Sequence, residues 1–148
     1  MTSIGSSDAP AVLVLEDGRI FDGVAAGARG TAIGEVVFNT AMSGYQETLT
    51  DPSYLGQIVV MTASHVGNYG FNREDPESNR IQVTALAARH FPARFSNARG
   101  EWTMDESLSR EGISGIHGLD TRALVRHIRS KGAMRGAVSS ELVSGSDR

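Results

Sequence analysis

The chain contains no cysteine, and it also lacks a basic excess and any long apolar run. Without cysteine it has no disulfides, no thiolate metal ligands, no iron–sulfur ligation and no cysteine nucleophile. Its 14 lysines and arginines are outnumbered by 17 acidic residues, so the charge typical of duplex nucleic-acid binders is missing. No apolar run approaches the roughly 20 residues that a membrane-spanning helix needs. We therefore expect no nucleic-acid partner, no membrane insertion and a cytoplasmic location.

The sequence does have the size and composition of one folded domain, with 148 residues of which 40% are hydrophobic. Residues 1–10 are rich in serine and have neither a cationic start nor an apolar segment, so we expect a flexible tail rather than a secretory signal. Residues 139–148 are small and polar, which predicts a linker-like tail. The folded domain is therefore expected at residues 11–138.

Strand patterns outnumber helix patterns along this folded part. Apolar and β-branched runs predict strands at residues 11–15, 19–21, 35–39, 57–62, 81–88 and 113–116. The Asp17-Gly18 step predicts a hairpin between the first two. Several runs are almost continuously apolar, which is typical of strands covered on both faces.

Two helices are predicted in the second half of the chain. A Thr-x-x-Glu capping box at Thr103 predicts a short helix that ends at Gly112. Asp120 predicts the N-cap of a longer helix, which Lys131 and Gly132 end. The fold class expected from these patterns is α/β, strand-rich with few helices.

The first of four polar segments that could carry chemistry spans residues 39–54. It follows a predicted strand, is dense in hydroxyl, amide and acidic groups, and contains an Asp-Pro step that favours a turn. One interpretation is a loop that presents Ser53 and Tyr54 to a ligand or partner. The other is a turn whose hydroxyl groups hydrogen-bond to its own backbone.

The second segment, residues 64–72, follows the predicted strand at 57–62. Gly67 and Gly70 would let backbone amides approach an anion or another chain closely, or would simply form a tight turn. His65 is a candidate base, or a structural histidine. The segment lacks the Gly-Lys-Ser/Thr ending of a phosphate-binding loop.

The third segment, residues 87–92 with 96–100, and the fourth, residues 115–132, are rich in arginine. Arg89 and Arg99 could bind a carboxylate or lie at a solvated strand end. Arg122, Arg126 and Arg129 lie away from the apolar stripe of the predicted helix, which indicates a solvated face or a protein contact surface.

No catalytic constellation is visible in these segments. A hydrolase with Ser53 as nucleophile and His65 as base would lack the Gly-x-Ser-x-Gly elbow. The four histidines do not have the spacing of metal ligands. We therefore expect neither a catalytic residue nor a metal site in this chain.

Taken together, the segments resemble the N-terminal domain of the small, glutamine-hydrolysing subunit of carbamoyl-phosphate synthase. The matching stretches occur in order along the folded part: residues 15–18 (LEDG), 34–40 (GEVVFNT), 42–47 (MSGYQE), 50–54 (TDPSY), 65–70 (HVGNYG), 96–99 (SNAR), 118–122 (GLDTR) and 131–132 (KG).

The resemblance implies a three-layer β/β/α swivelling-domain architecture and a non-catalytic scaffold and interface role. In this family a class I glutamine amidotransferase domain follows and hydrolyses glutamine with a Cys-His-Glu triad. The ammonia passes to a large subunit, which uses ATP and magnesium to make carbamoyl phosphate for arginine and pyrimidine biosynthesis. The implied partners are the large subunit and the chain's own amidotransferase domain, and no cofactor is expected on this chain.

One residue is assigned a ligand by the resemblance. The serine of the Asp-Pro-Ser-Tyr motif is Ser53, which the family pattern places beside glutamine at the domain boundary. This cysteine-free chain contains no triad, so we expect it to be inactive by itself. The alternative is a stand-alone anion-binding module that uses the Gly67–Gly70 turn with Arg89 and Arg99.

Overall fold

The computed structural model describes residues 9–40, 45–62, 80–91, 95–97, 100–102 and 104–141. Within them lie nine strands and three α-helices. The strands are β1 (Pro10–Leu15), β2 (Ile20–Gly27), β3 (Thr31–Asn39), β4 (Gln57–Met61), β5 (Ala85–Ala88), β6 (Phe95–Asn97), β7 (Gly100–Trp102), β8 (Ser114–His117) and β9 (Arg135–Ser139). The helices are α1 (Tyr45–Thr50), α2 (Met104–Arg110) and α3 (Thr121–Lys131), with a 3-10 helix at Pro52–Tyr54. The expectation of a strand-rich α/β domain with few helices is confirmed.

Seven of the strands form one closed sheet in the order β1-β2-β8-β5-β4-β3-β9, and β9 pairs back onto β1. The neighbours β3, β4, β5 and β8 run parallel, whereas β1, β2 and β9 are joined to their neighbours by antiparallel pairing. β6 and β7 form a separate two-stranded antiparallel sheet. The closed sheet therefore has a parallel part, formed by β3, β4, β5 and β8, and an antiparallel part, formed by the pairing of β1, β2 and β9 with their neighbours.

Two hydrophobic clusters lie on opposite faces of the parallel strands. In β4, Ile58 and Val60 belong to one cluster while Val59 and Met61 belong to the other, as the two-residue period of a strand requires. Leu124 and Ile128 of α3 pack into the first cluster, and α1 and α2 contribute to the second with residues Leu49, Met104 and Leu108. The prediction that the continuously apolar strands are covered on both faces is confirmed.

Local signals in the sequence account for several element boundaries. Gly18 has φ +95°, which glycine adopts without strain, and it turns β1 into its antiparallel partner β2. The Asp120 carboxylate accepts a hydrogen bond from the Ala123 N–H at 3.0 Å and caps α3, and Gly132 ends that helix. The predicted hairpin and the predicted cap are both confirmed.

Other boundaries differ from the sequence-based expectations. The strand expected at residues 81–88 is β5 alone, because Val83 forms only an isolated bridge with Leu55 and the Ile81 N–H is hydrogen-bonded to the Glu111 side chain. At the other end, β9 includes Ser139, one residue beyond the expected boundary at 138. The Ser139 hydroxyl is buried and hydrogen-bonded to Thr31 at 2.8 Å, which holds the residue in the sheet.

Candidate functional site

The carboxyl ends of the four parallel strands lie at one edge of the closed sheet. These strands end at Asn39, Met61, Ala88 and His117. Each of the four polar segments from the sequence begins at, or within three residues of, one of these ends. The topology therefore brings the starts of the first, third and fourth segments to the edge where ligands of parallel sheets usually bind, while the second segment lies outside the described residues.

Asn39 connects the first segment to this edge. Its side-chain amide donates to the Tyr54 hydroxyl at 3.0 Å and to the Thr48 hydroxyl at 3.3 Å. Its carbonyl accepts from the Thr62 backbone N–H at 3.0 Å and from the Thr62 hydroxyl at 3.3 Å. Asn39 thus links α1 and the 3-10 helix through its side-chain amide, and the residue after β4 through its backbone carbonyl.

Ser53 lies in the middle of the 3-10 helix, and its side chain is exposed. The Asp51 carboxylate accepts from the Ser53 backbone N–H at 2.9 Å and caps the helix, while Pro52 favours its first turn. Among the described residues, the Ser53 hydroxyl makes no hydrogen bond. Because Asp51 satisfies the turn, the Ser53 hydroxyl is available to donate to or accept from a ligand.

His117, at the end of β8, is half-buried beside a second histidine. Burial lowers the pKa of His117, the nearby charge of His90 lowers it further, and Asp105 opposes both. The Phe91 ring packs against the imidazole, with ring centres 5.0 Å apart. His117 is therefore a mainly uncharged imidazole at neutral pH.

An arginine-lined cleft of about 520 Å³ occupies the part of this edge next to α3. Three of its arginines project from one face of α3, and the fourth directly follows β5. The polar residues that line it are Thr62, Arg89, Thr121, Arg122, Arg126 and Arg129, and Val125 adds an apolar contact. We call these seven residues the arginine cleft.

In the sequence, the residues of the arginine cleft belong to different segments with different predicted roles. The sequence pattern groups Arg89 with Arg99, and it predicts a solvated face or a contact surface for the three helical arginines. The arginines of α3 are indeed exposed. Their proximity to Arg89 depends on β5 lying beside β8, which leads into α3. No local pattern in the sequence contains that adjacency.

Several candidate residues lie outside the described part of the chain. These are His65, the Gly67–Gly70 turn, Arg99 and the Thr103 capping position. Their predicted roles stay predictions.

The described ranges contain neither a cluster of metal ligands nor a helix that could span a membrane. There, no group of three or more histidine, aspartate or glutamate side chains is placed to hold a metal ion. None of the helices described has the length and apolar character needed to cross a bilayer.

These features define a strand-rich α/β domain with described parts of three polar segments at the carboxyl edge of its parallel strands. The family model of the carbamoyl-phosphate synthase small chain, CPSase domain, matches residues 13–138. The chain therefore belongs to the carbamoyl-phosphate synthase small chain family, as the resemblance had indicated.

Curated relatives agree with this assignment. The chain is 59% identical over 137 residues to the carbamoyl phosphate synthase small chain of Streptomyces avermitilis, covering 92% of this chain and 36% of that protein. It is 57% identical over 133 residues to the small chain of Mycobacterium tuberculosis, covering 88% and 35%. For Aquifex aeolicus the identity is 53% over 130 residues, with coverage of 88% and 35%. The chain thus spans about a third of the length of the curated relatives it matches.

A comparison with solved structures adds no argument. A Peptidase M28 precursor from Shewanella amazonensis superposes with a TM-score of 0.45 at 8% identity, covering 87% of this chain and 33% of that one.

Proposed function

We propose that this domain is the non-catalytic scaffold and interface part of the small subunit of a glutamine-dependent carbamoyl-phosphate synthase. That subunit supplies ammonia from glutamine to a large subunit for carbamoyl phosphate synthesis, which serves arginine and pyrimidine biosynthesis. The observation that carries the proposal is the family match over residues 13–138, in a chain without cysteine. A family that hydrolyses glutamine with a cysteine must hold that cysteine outside these residues.

The surroundings of Ser53 support a binding role over a catalytic one. Within the described residues no imidazole lies within hydrogen-bonding distance of its hydroxyl, so it lacks the activating base that a serine nucleophile requires. The hydroxyl is exposed, and its backbone is fixed by Asp51. In the proposed role Ser53 hydrogen-bonds glutamine that is held mainly by the amidotransferase domain.

The proposed role also assigns the partners and the architecture. The partners are the large subunit, which uses ATP and magnesium, and the amidotransferase domain of the same subunit, all in the cytoplasm. The domain itself has the swivelling β/β/α arrangement of the family. The first cluster joins β1, β2 and β9 to the parallel strands, and α1 and α2 pack into the second cluster on the opposite face, an order of layers that supports that arrangement.

The role of Ser53 is tested in the complete two-subunit enzyme. Ser53→Ala should raise the KM for glutamine by about tenfold, since one hydrogen bond to a charged substrate is lost. Carbamoyl phosphate synthesis from added ammonia should be unchanged, because that route bypasses glutamine. Ser109→Ala, a change at an exposed serine of α2, is the matched control and should leave both rates unchanged. An unaltered KM for Ser53→Ala would refute the glutamine contact.

The scaffold role is tested with the 148-residue chain itself. Purified alone, it should release no ammonia from glutamine, and immobilised it should retain the large subunit. Measurable glutaminase activity of this chain would overturn the non-catalytic assignment. Failure to retain the large subunit would contradict the interface role.

A stand-alone anion-binding module is the alternative function. Arg89 does line a cleft with three other arginines, which favours anion binding. That observation is compatible with either function, because a subunit of a larger enzyme can also hold an anion there.

A further inference from the structure

The arginine cleft concentrates positive charge on a short stretch of surface. Arg122, Arg126 and Arg129 follow the i, i+4, i+7 spacing that places side chains on one face of a helix. Along α3 this series spans roughly 10 Å, given a rise of about 1.5 Å per residue. Arg89, at the end of β5, adds a fourth guanidinium from outside the helix. All four side chains are exposed at the mouth of the cleft.

These four guanidinium groups have no counter-charge within the described part of the chain. None of them forms an ion pair or a side-chain hydrogen bond with a described residue. Like charges gathered in one cleft repel one another, and together they create a positive electrostatic potential that attracts an anion. The chain as a whole carries a net charge of −3, so the cluster does not reflect a generally basic surface.

A buried hydroxyl in the same cleft also has no hydrogen-bond partner among the described residues. Thr121, the first residue of α3, lines the cleft and is only 4% exposed. Its hydroxyl makes no hydrogen bond to any residue the structure describes. Buried polar groups are nearly always hydrogen-bonded, and an unsatisfied one is costly. A ligand that accepts a hydrogen bond from Thr121 would remove that cost.

The N-terminus of α3 is already occupied by its own cap. The Asp120 carboxylate already caps α3 by accepting from the Ala123 N–H at 3.0 Å. The anion-binding groups are therefore the side chains of the cleft. Arginine presents a planar fork of donors that matches the oxygens of a carboxylate or a phosphate in pairs.

We propose that the arginine cleft is a binding site for an oxyanion, a carboxylate or phosphate group, held by Arg89, Arg122 and Arg126 or Arg129 with a hydrogen bond from Thr121. Its volume of about 520 Å³ fits a small polyanion or a few acidic side chains of a protein partner. The site lies at the carboxyl edge of the parallel strands, where α/β sheets commonly bind ligands. The proposal is independent of the role of Ser53, which does not line the cleft.

Calorimetric titration of the 148-residue chain at low ionic strength tests the proposal. Three probes are used: inorganic phosphate, malonate and a hexaglutamate peptide. At least one should bind saturably at one site per chain, and binding should weaken steeply with added salt. Strongest binding of phosphate or malonate identifies a free small anion as the ligand, whereas strongest binding of hexaglutamate identifies carboxylates carried on a polypeptide.

Substitutions on α3 separate this site from general charge attraction. Arg126→Gln should weaken binding about tenfold, and Arg126→Lys should weaken it less because the charge is kept while the fork is lost. Thr121→Val removes the hydroxyl and should weaken binding without lowering stability. Lys131→Gln makes the same charge change on the same helix outside the cleft, and affinity should stay within about twofold.

Two results would overturn the proposed oxyanion site. Equal loss of affinity in Arg126→Gln and Lys131→Gln would mean that the probes respond to overall charge, and the site would be rejected. Absence of saturable binding for all three probes, with the chain folded by circular dichroism, would reject it as well.

Discussion

The parallel and antiparallel parts of the closed sheet differ in what their strand ends carry. In the antiparallel part, β1 and β2 are joined by a short turn at Gly18, and β9 completes the pairing. In the parallel part, each connection must cross back over the sheet, and longer segments emerge at the carboxyl edge. The first, third and fourth polar segments begin at that edge. The comparison indicates that the antiparallel part closes the structure while the parallel part presents its chemistry.

Charge is arranged differently in the two parts as well. In the antiparallel part Asp17 is hydrogen-bonded to His127 at 2.7 Å, which ties the β1–β2 turn to α3. The Arg19 backbone N–H and His127 hold the pKa of Asp17 below its usual value. At the parallel edge, the four arginines of the cleft have no such partner among the described residues. Charged side chains are thus paired within the domain in the antiparallel part, whereas at the parallel edge the four arginines are placed to bind an anion.

The largest effect is expected from a substitution in the doubly covered part of the sheet. Leu86 of β5 is fully buried in the second cluster, so Leu86→Ala should lower the free energy of unfolding by about 2 to 5 kcal/mol. Ile33, on a part of β3 that pairs antiparallel with β9, is 60% exposed, and Ile33→Ala should cost only about 0.5 kcal/mol. Urea unfolding measures both. Similar losses would contradict the difference in coverage between the parallel strand β5 and the antiparallel pairing of β3 with β9.

A second pair of substitutions tests two glycines of the antiparallel part. Both have positive φ, but a Cβ at Gly27 would lie 2.2 Å from the Ile113 carbonyl oxygen, whereas at Gly18 it would meet nothing within 4 Å. Gly27→Ala should therefore cost about 3 kcal/mol or more. Gly18→Ala should cost about 1 to 2 kcal/mol, from the backbone conformation alone. Thermal unfolding of the two variants would expose the error if Gly18→Ala proved the more damaging.

The smallest effect concerns pH and the parallel edge. Because the pKa of His117 is lowered in the folded state, the unfolded chain binds more protons as pH falls below about 6.5. Stability should therefore be constant in this respect above that pH and should fall as pH drops through the folded pKa. His117→Gln should flatten the decline between pH 7 and 5.5, measured by urea unfolding. His90→Gln removes a lesser cause of the shift and should flatten it less, so an equal or greater effect would contradict this account.

The elements with strong local signals were predictable from the sequence. The hairpin at Gly18, the Asp120 cap and the buried strand β4 each depend on a few adjacent residues, and all three were found. β9 was missed, because Arg135–Ser139 contains glycine, alanine and serine and becomes a strand only between β1 and β3. Its stability comes from pairing and not from propensity.

The two candidate sites differ in the same way, because one depends on adjacent residues and the other on the order of the strands. Ser53 is a prediction from the contiguous motif that surrounds it, and its hydroxyl is exposed and makes no hydrogen bond to a described residue. The arginine cleft was not found as a unit, since Arg89 and Arg126 are distant in sequence and meet through strand order. The Thr121 hydroxyl is buried without a partner in the part of the chain that the structure describes, which depends on packing that no sequence pattern reveals.

The position of β9 has a consequence for how the chain must fold. This last strand lies between the first and the third, with Val12 opposite Ser139 and Ile33 opposite Ala137. Until it is synthesised and docked, β1 and β3 expose unpaired edges that can pair with other chains. Closure also joins residues distant in sequence, which makes it a slow step. During synthesis, the edges of β1 and β3 therefore stay open to pairing with other chains until nearly the end of the domain has left the ribosome.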